Sequence, residues 1–186
     1  IALGGIVFNF MYEGLNFLRI GTTGIVSQNL GSKDFEEVFL SLVRPLLIAF
    51  SIGCILFISK ELLYDLSIYF LTPSNELQSF YKEYLFVRMI GLPAGLLNIV
   101  FLGWFFGMQK TKSVMAQLVS INLVNVVSSI YLAVFLDLGI YGVALGSVLA
   151  QFTGLILSVI IFMTYFNKLN FTIFKLNKLF NFHSFK

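Results

Sequence analysis

The run Val114–Phe166, VMAQLVSINLVNVVSSIYLAVFLDLGIYGVALGSVLAQFTGLILSVIIFMTYF, decides the fold. It holds two apolar stretches, Val114–Leu136 and Leu138–Phe166, neither with a charged residue, joined at Asp137. A hydrocarbon core of roughly 30 Å takes about 20 apolar residues in a helix, so each stretch can cross it. A backbone exposed to lipid must satisfy its own hydrogen bonds, which selects helices here. The sequence therefore predicts a helical hairpin that crosses a membrane twice. Its polar residues are ordered. Asn122, Asn125 and Ser129 share a face of the first helix, and Ser147, Gln151, Gly154 and Ser158 share one on the second. Stripes of that kind face something other than lipid. Gly142, Gly146, Ala150 and Gly154 also recur every four residues, a seam where another helix can approach closely.

Composition agrees. The 186 residues are 58% hydrophobic and 11% charged, well below the roughly 25% charge of soluble domains. Mean hydropathy is +0.91. The fold class is all-α, a polytopic transmembrane bundle of about five spanning helices. The net charge of +3 arises from loops and tail and gives no reason to expect nucleic acid. Cys54 is the single cysteine and His183 the single histidine, so no zinc-type metal site and no internal disulfide is expected. No nucleophile with a nearby base, no paired carboxylates and no phosphate loop is present, which argues against an enzyme and against a bound cofactor.

Outward from the hairpin, Ile1–Val26 reads as a first membrane helix, with Asn9, Glu13 and Asn16 on one face and Arg19 beyond them. A charge at mid-membrane costs roughly 2.5–3.5 kcal/mol on insertion scales. Glu13 is either part of a packed polar seam or a cavity carboxylate able to take up a proton. The sequence starts at Ile1 within this run, which suggests a start inside a helix. Ser27–Glu37 reads as a polar connection and Val38–Ser59 as the second helix, with Arg44 and Pro45 near its start. Lys60–Lys82 holds an amphipathic part, ELLYDLSIYFL, suited to the membrane interface, and then the turn signal Thr72-Pro73-Ser74. Tyr84–Met108 is the third helix. Arg88, Gly91, Gly95 and Asn98 share a face, and Pro93 should kink it. Arg88 either snorkels to the interface or points inward in a structural or substrate-facing role.

Residues 1–166 thus read as one transmembrane lobe, and 167–186, with four lysines and no acid, as a basic amphipathic tail or linker. Five spans put Ser27–Glu37, Gln109–Ser113 and the tail on the lysine-rich side. By the positive-inside tendency that side is cytoplasmic, in a cell inner membrane.

Several of these stretches resemble one family. Phe17–Gly31 (FLRIGTTGIVSQNLG) is similar to the second helix and following loop of multidrug and toxic compound extrusion transporters, above all the branch named after the DNA-damage-inducible protein F. Arg88–Lys112 (RMIGLPAGLLNIVFLGWFFGMQKTK) resembles that branch's fourth helix and exit loop, and Asn122–Ser129 (NLVNVVSS) and Gly142–Gln151 (GVALGSVLAQ) its fifth and sixth. The resemblance implies helices two to six of one six-helix lobe in a two-lobed carrier. The second lobe, or another chain, would complete it. It further implies export of small amphipathic or cationic compounds against a proton or sodium gradient, with the lipid bilayer as surroundings. Relatives with a cation site use an Asn and, four residues later, an Asp on helix five, and a Thr on helix six. Here those positions are Asn125, Ser129 and Ser147, so the acid is absent, and Glu13 would have to supply the charge.

The expected cavity lining is therefore Asn9, Glu13, Asn16, Asn122, Asn125, Ser129, Ser147 and Gln151. Three readings stand. The first is an ion-coupled efflux transporter, in this copy truncated. The second is a non-transporting remnant or helper subunit. The third is a flippase for lipid-linked oligosaccharides, disfavoured because a pyrophosphate cargo calls for several cavity Arg or Lys.

Overall fold

The computed structural model describes residues 2–168; the tail expected over 167–186 lies almost wholly outside them. Among the described residues every element is helical: α1 (Ala2–Gly14), α2 (Phe17–Gly31), α3 (Phe35–Ile58), α4 (Lys60–Leu71), α5 (Asn75–Ile90), α6 (Leu92–Gly107), α7 (Thr111–Ile130, continued by a π-helical turn Tyr131–Phe135) and α8 (Gly139–Lys168). Three of these spans are long and apolar enough to cross a membrane alone: α3, α7 with its π turn, and α8. The α5–α6 pair, bent by 50°, makes a fourth if it is one span.

The hairpin forms as its sequence predicts. Asp137, with φ of 53°, and Gly139, with φ of 52°, turn the chain between α7 and α8. The glycine seam lets the two backbones meet. A Cβ on Gly142 would sit 2.7 Å from the Ala133 nitrogen, and one on Gly146 would sit 2.6 Å from the Ser129 nitrogen. Ala150, between them and Gly154, is fully buried.

Four expectations need correction. The stretch read as one helix over Ile1–Val26 is two, interrupted at Leu15 and Asn16. Gly14 is a poor helix former, and an Asn side chain competes for local partners. Backbone bonds Leu15 N to Met11 O (3.1 Å) and Arg19 N to Asn16 O (3.0 Å) keep the segments joined. Second, the Ser27–Glu37 connection shrinks to Ser32–Asp34. Polar residues extend α2 because they bond within the protein: Ser27 to the Gly24 carbonyl (2.8 Å) and Asn29 to Ser41 Oγ (2.8 Å). Asp34 then caps α3, its carboxylate accepting from the Glu37 N–H at 3.1 Å. Third, this earlier start leaves Pro45 inside α3, where its ring nitrogen cannot bond the Ser41 carbonyl. Fourth, α5 begins at Asn75 and not Tyr84. The kink lies at Gly91, with Pro93 in the first turn of α6, where a missing N–H costs little.

The interfacial reading of Lys60–Leu71 corresponds to α4, which ends at Thr72 with φ of 40°. Lys60 lies over the Phe57 and Phe86 rings and Lys82 over Tyr64 and Phe86.

The core is centred on α6. Leu96, Val100, Trp104 and Phe105 are fully buried against α2 and α3, with Leu18, Val26, Val38 and Leu42. Trp104 satisfies its indole N–H on the Val38 carbonyl at 3.0 Å, as a buried Trp must. The other side of α6 meets α7 and α8. Large apolar side chains such as Phe10, Ile55, Leu123 and Ile156 remain exposed. In a bilayer such surface has the lipid chains as its solvent.

Candidate binding groove and the Arg88 cluster

Because α6 stands between α2 and the α7–α8 hairpin, a groove opens along its polar face. Its volume is about 300 Å³, and Tyr12, Glu13, Asn16, Arg19, Asn98, Gln117 and Gln151 line it, with Leu102, Leu118 and Ile121 among its apolar wall. Three of the eight expected lining residues, Glu13, Asn16 and Gln151, are in it. Glu13 is exposed, with Asn16 Nδ2 at 3.4 Å from its Oε2.

Three amides form the floor. Asn98 Nδ2 donates to the Gln151 carbonyl (2.8 Å) and to Gln151 Oε1 (3.0 Å). Gln117 Nε2 donates to the Asn98 carbonyl (3.0 Å) and to Asn98 Oδ1 (3.3 Å). Asn98 is 4% exposed and Gln117 1%. The ladder ties α6 to both arms of the hairpin. One atom is left over: Gln117 Oε1 is buried with no hydrogen-bond partner.

One turn earlier on α8, Ser147 belongs to a second cluster that does not line the groove. Arg88 Nη1 donates to Tyr84 OH and to Ser147 Oγ, each at 3.1 Å. Asn125 Nδ2 donates to the same Oγ at 2.9 Å, and that hydroxyl donates to the Val143 carbonyl at 3.2 Å. A serine hydroxyl has one proton and two lone pairs. Ser147 has used all three, so none is left for a cation. The Arg88 guanidinium lies 4.5 Å from the centre of the Phe8 ring and 5.7 Å from that of Tyr84, within the range of cation–π attraction. Of the two readings of Arg88, the inward one is the structure's.

Asn125 and Ser147 therefore meet, as their placement implied, but around a guanidinium. Ser129, where the resemblance implies an acid, faces α8 and makes one long bond to the Val143 carbonyl, 3.5 Å. Asn122 is not brought to the site: it is exposed and its amide folds back onto the Leu118 carbonyl at 2.8 Å. Asn9 is exposed and outside the groove. Pro93 lies in the first turn of α6, outside the groove, beside the α5–α6 bend. Sequence reasoning missed Gln117, Tyr12 and Tyr84. A signal existed for Gln117, which lies two turns before Asn125 on the hairpin's inner side.

The comparisons with known proteins fit this architecture. A sequence model of the MatE family matches residues 1–131. DNA damage-inducible protein F of Escherichia coli (strain K12) is 30% identical over 160 residues, 86% of this chain and 35% of that protein. A solved structure described as an inward-facing conformation of a multidrug resistance MATE family transporter of the MOP superfamily superposes with a TM-score of 0.73 at 20% identity, over 84% of this chain and 34% of that one. The chain thus spans about a third of the length of either relative. With a family match over more than half its length, helices fit to span a bilayer and a polar groove between them, the chain belongs to the MatE family of integral membrane transporters, which are not enzymes.

Proposed function

We propose that this chain forms part of an efflux carrier that exports drugs or other toxic small compounds, driven by a proton or sodium gradient. The observation that carries the reading is the groove beside α6, where a carboxylate, a guanidinium and four amides stand among apolar walls. Such a lining suits amphipathic or cationic cargo, which needs apolar contact and few, well-placed polar groups. Glu13 is the candidate coupling group, being the one carboxylate lining the groove. A second lobe, from the same or another polypeptide, completes the carrier. The chain sits in a cell inner membrane with its lysine-rich tail in the cytoplasm. The description of the solved structure as a multidrug resistance transporter supports the cargo class.

The test is export of a fluorescent organic cation from proteoliposomes holding the full carrier, under an imposed pH or sodium gradient. Export by the wild type that loses its gradient dependence in Glu13→Gln is the expected result. Unchanged coupling in Glu13→Gln would remove Glu13 from the mechanism. Absence of export under either gradient would favour a helper or non-transporting role, a reading that Ser129, standing where relatives carry an acid, also favours.

A further inference from the structure

The Arg88 cluster is built around a positive charge whose negative partner is absent among the described residues. Two ion pairs are formed there, Arg44–Glu37 at 3.0 Å and Lys82–Glu61 at 3.6 Å, and neither involves Arg88. A charge held within a membrane-spanning lobe is costly unless something compensates it. Phe8, Tyr84 and Ser147 compensate in part, and they also fix the guanidinium in place. Both of its hydrogen bonds leave from Nη1. The opposite edge, Nε and Nη2, has no partner among the described residues and is the fork that matches the two oxygens of a carboxylate. Arg88 as a whole is half-buried and not sealed in the core.

We infer that Arg88 is an anion-binding residue, taking a carboxylate in bidentate fashion on its Nε–Nη2 edge, at a site separate from the groove. Ser147, Tyr84 and Phe8 are its positioning residues. Asn125 belongs to the same device: by donating to Ser147 Oγ it helps leave that hydroxyl's one proton for Val143, so the oxygen faces Arg88 as an acceptor. The cluster repels a sodium ion. The carboxylate comes either from a solute or from an acidic side chain of the protein. Neither case requires transport, so the inference stands or falls separately from the efflux reading.

The experiment is arginine modification by phenylglyoxal on the full chain in phosphatidylcholine nanodiscs, resolved by mass spectrometry. Arg44, ion-paired to Glu37, is the internal reference. Sodium benzoate is the probe, with sodium chloride and choline chloride at equal ionic strength as controls. If a solute supplies the carboxylate, Arg88 reacts readily alone, and benzoate at nine-tenths occupancy slows it about tenfold while the chlorides and Arg44 do not change. If the protein supplies it, Arg88 is slow from the start and becomes fast once carboxylates are amidated with carbodiimide and glycinamide. Ready reaction that benzoate does not slow overturns the inference. So does slow reaction that amidation leaves slow, which would mean burial alone.

Discussion

Ser147 and Gln151 lie one turn apart on the same face of α8, yet they anchor opposite kinds of polar structure. The Gln151 end is a neutral amide ladder running through Asn98 to Gln117, buried at the last two and with Gln117 Oε1 left without a partner. The Ser147 end is charged and half open, with a guanidinium held from one side. Neutral amides can be buried inside a bundle because each bond satisfies two groups and leaves no net charge behind. A guanidinium cannot be closed off without a counter-charge. The difference gives the two regions different work: the ladder fixes how α6, α7 and α8 sit together, and the Arg88 cluster keeps a reactive edge available.

Both regions depend on the close approach of α7 and α8, so the largest expected effect is there. In Gly146→Val the new Cβ meets Ser129 Oγ and the Ser129 backbone nitrogen, which cannot move without moving α7. Overpacking of this kind costs about 1–3 kcal/mol, at times more. Reversible unfolding in mixed micelles should show the loss, and the Asn125–Ser147 bond should break with it. Gly24→Val is the control, since nothing lies within 4 Å of that added Cβ. Valine is a better helix former than glycine, so propensity gives no loss at either site; equal losses in the two variants would mean that the close approach at Gly146 does not set the cost.

A smaller effect separates the ladder from the cluster. Asn98→Leu removes the amide shared by both neighbours and strands Gln151 Oε1 and one Gln117 contact. Interhelical hydrogen bonds in membranes average about 0.6 kcal/mol and reach about 1.7. A fully buried, doubly used amide belongs at the upper end, so a loss of about 1–2 kcal/mol is expected. Arg88 reactivity toward phenylglyoxal should not change. If it does, the two regions are one network.

The hairpin was legible because two independent signals, unbroken apolar length and a small residue every fourth position, agreed on it. Gly146 and Ala150 did in the structure what their spacing implied. The polar stripe was legible only in part. Helical spacing gives the angle between Asn122 and Asn125 but not which of those directions meets α8. Asn122 turned outward because its amide can be satisfied by its own helix, at the Leu118 carbonyl. Gln117 escaped notice because a lone polar residue in an apolar run carries no mark of the partner, Asn98, that comes from another helix. The interruption at Leu15–Asn16 and the π turn at Tyr131–Phe135 are small differences in backbone hydrogen bonding that composition does not register. The role of Arg88 was readable only as a pair of alternatives. What decided between them was a ring from α1 and a hydroxyl from α8, both far away in sequence.

The smallest effect is the most discriminating for the ladder. Gln117→Met keeps the length and apolar bulk of the side chain and removes both polar atoms. Two bonds to Asn98 are lost, but Asn98 Oδ1 is their weaker acceptor at 3.3 Å, and the buried Oε1 that found no partner goes too. Leaving a polar group unsatisfied in the interior costs about 1–3 kcal/mol, comparable with what the bonds contribute, so the two changes should offset to within about 1 kcal/mol. Unfolding of Gln117→Met beside Asn98→Leu therefore measures how closed the ladder is. A near-neutral Gln117→Met with a costly Asn98→Leu means that Asn98 is the joint and Gln117 an imperfect support. A loss in Gln117→Met as large as in Asn98→Leu means that Oε1 has a partner after all. The groove it lines is the place to look for one, by repeating the melt in the presence of the fluorescent organic cation.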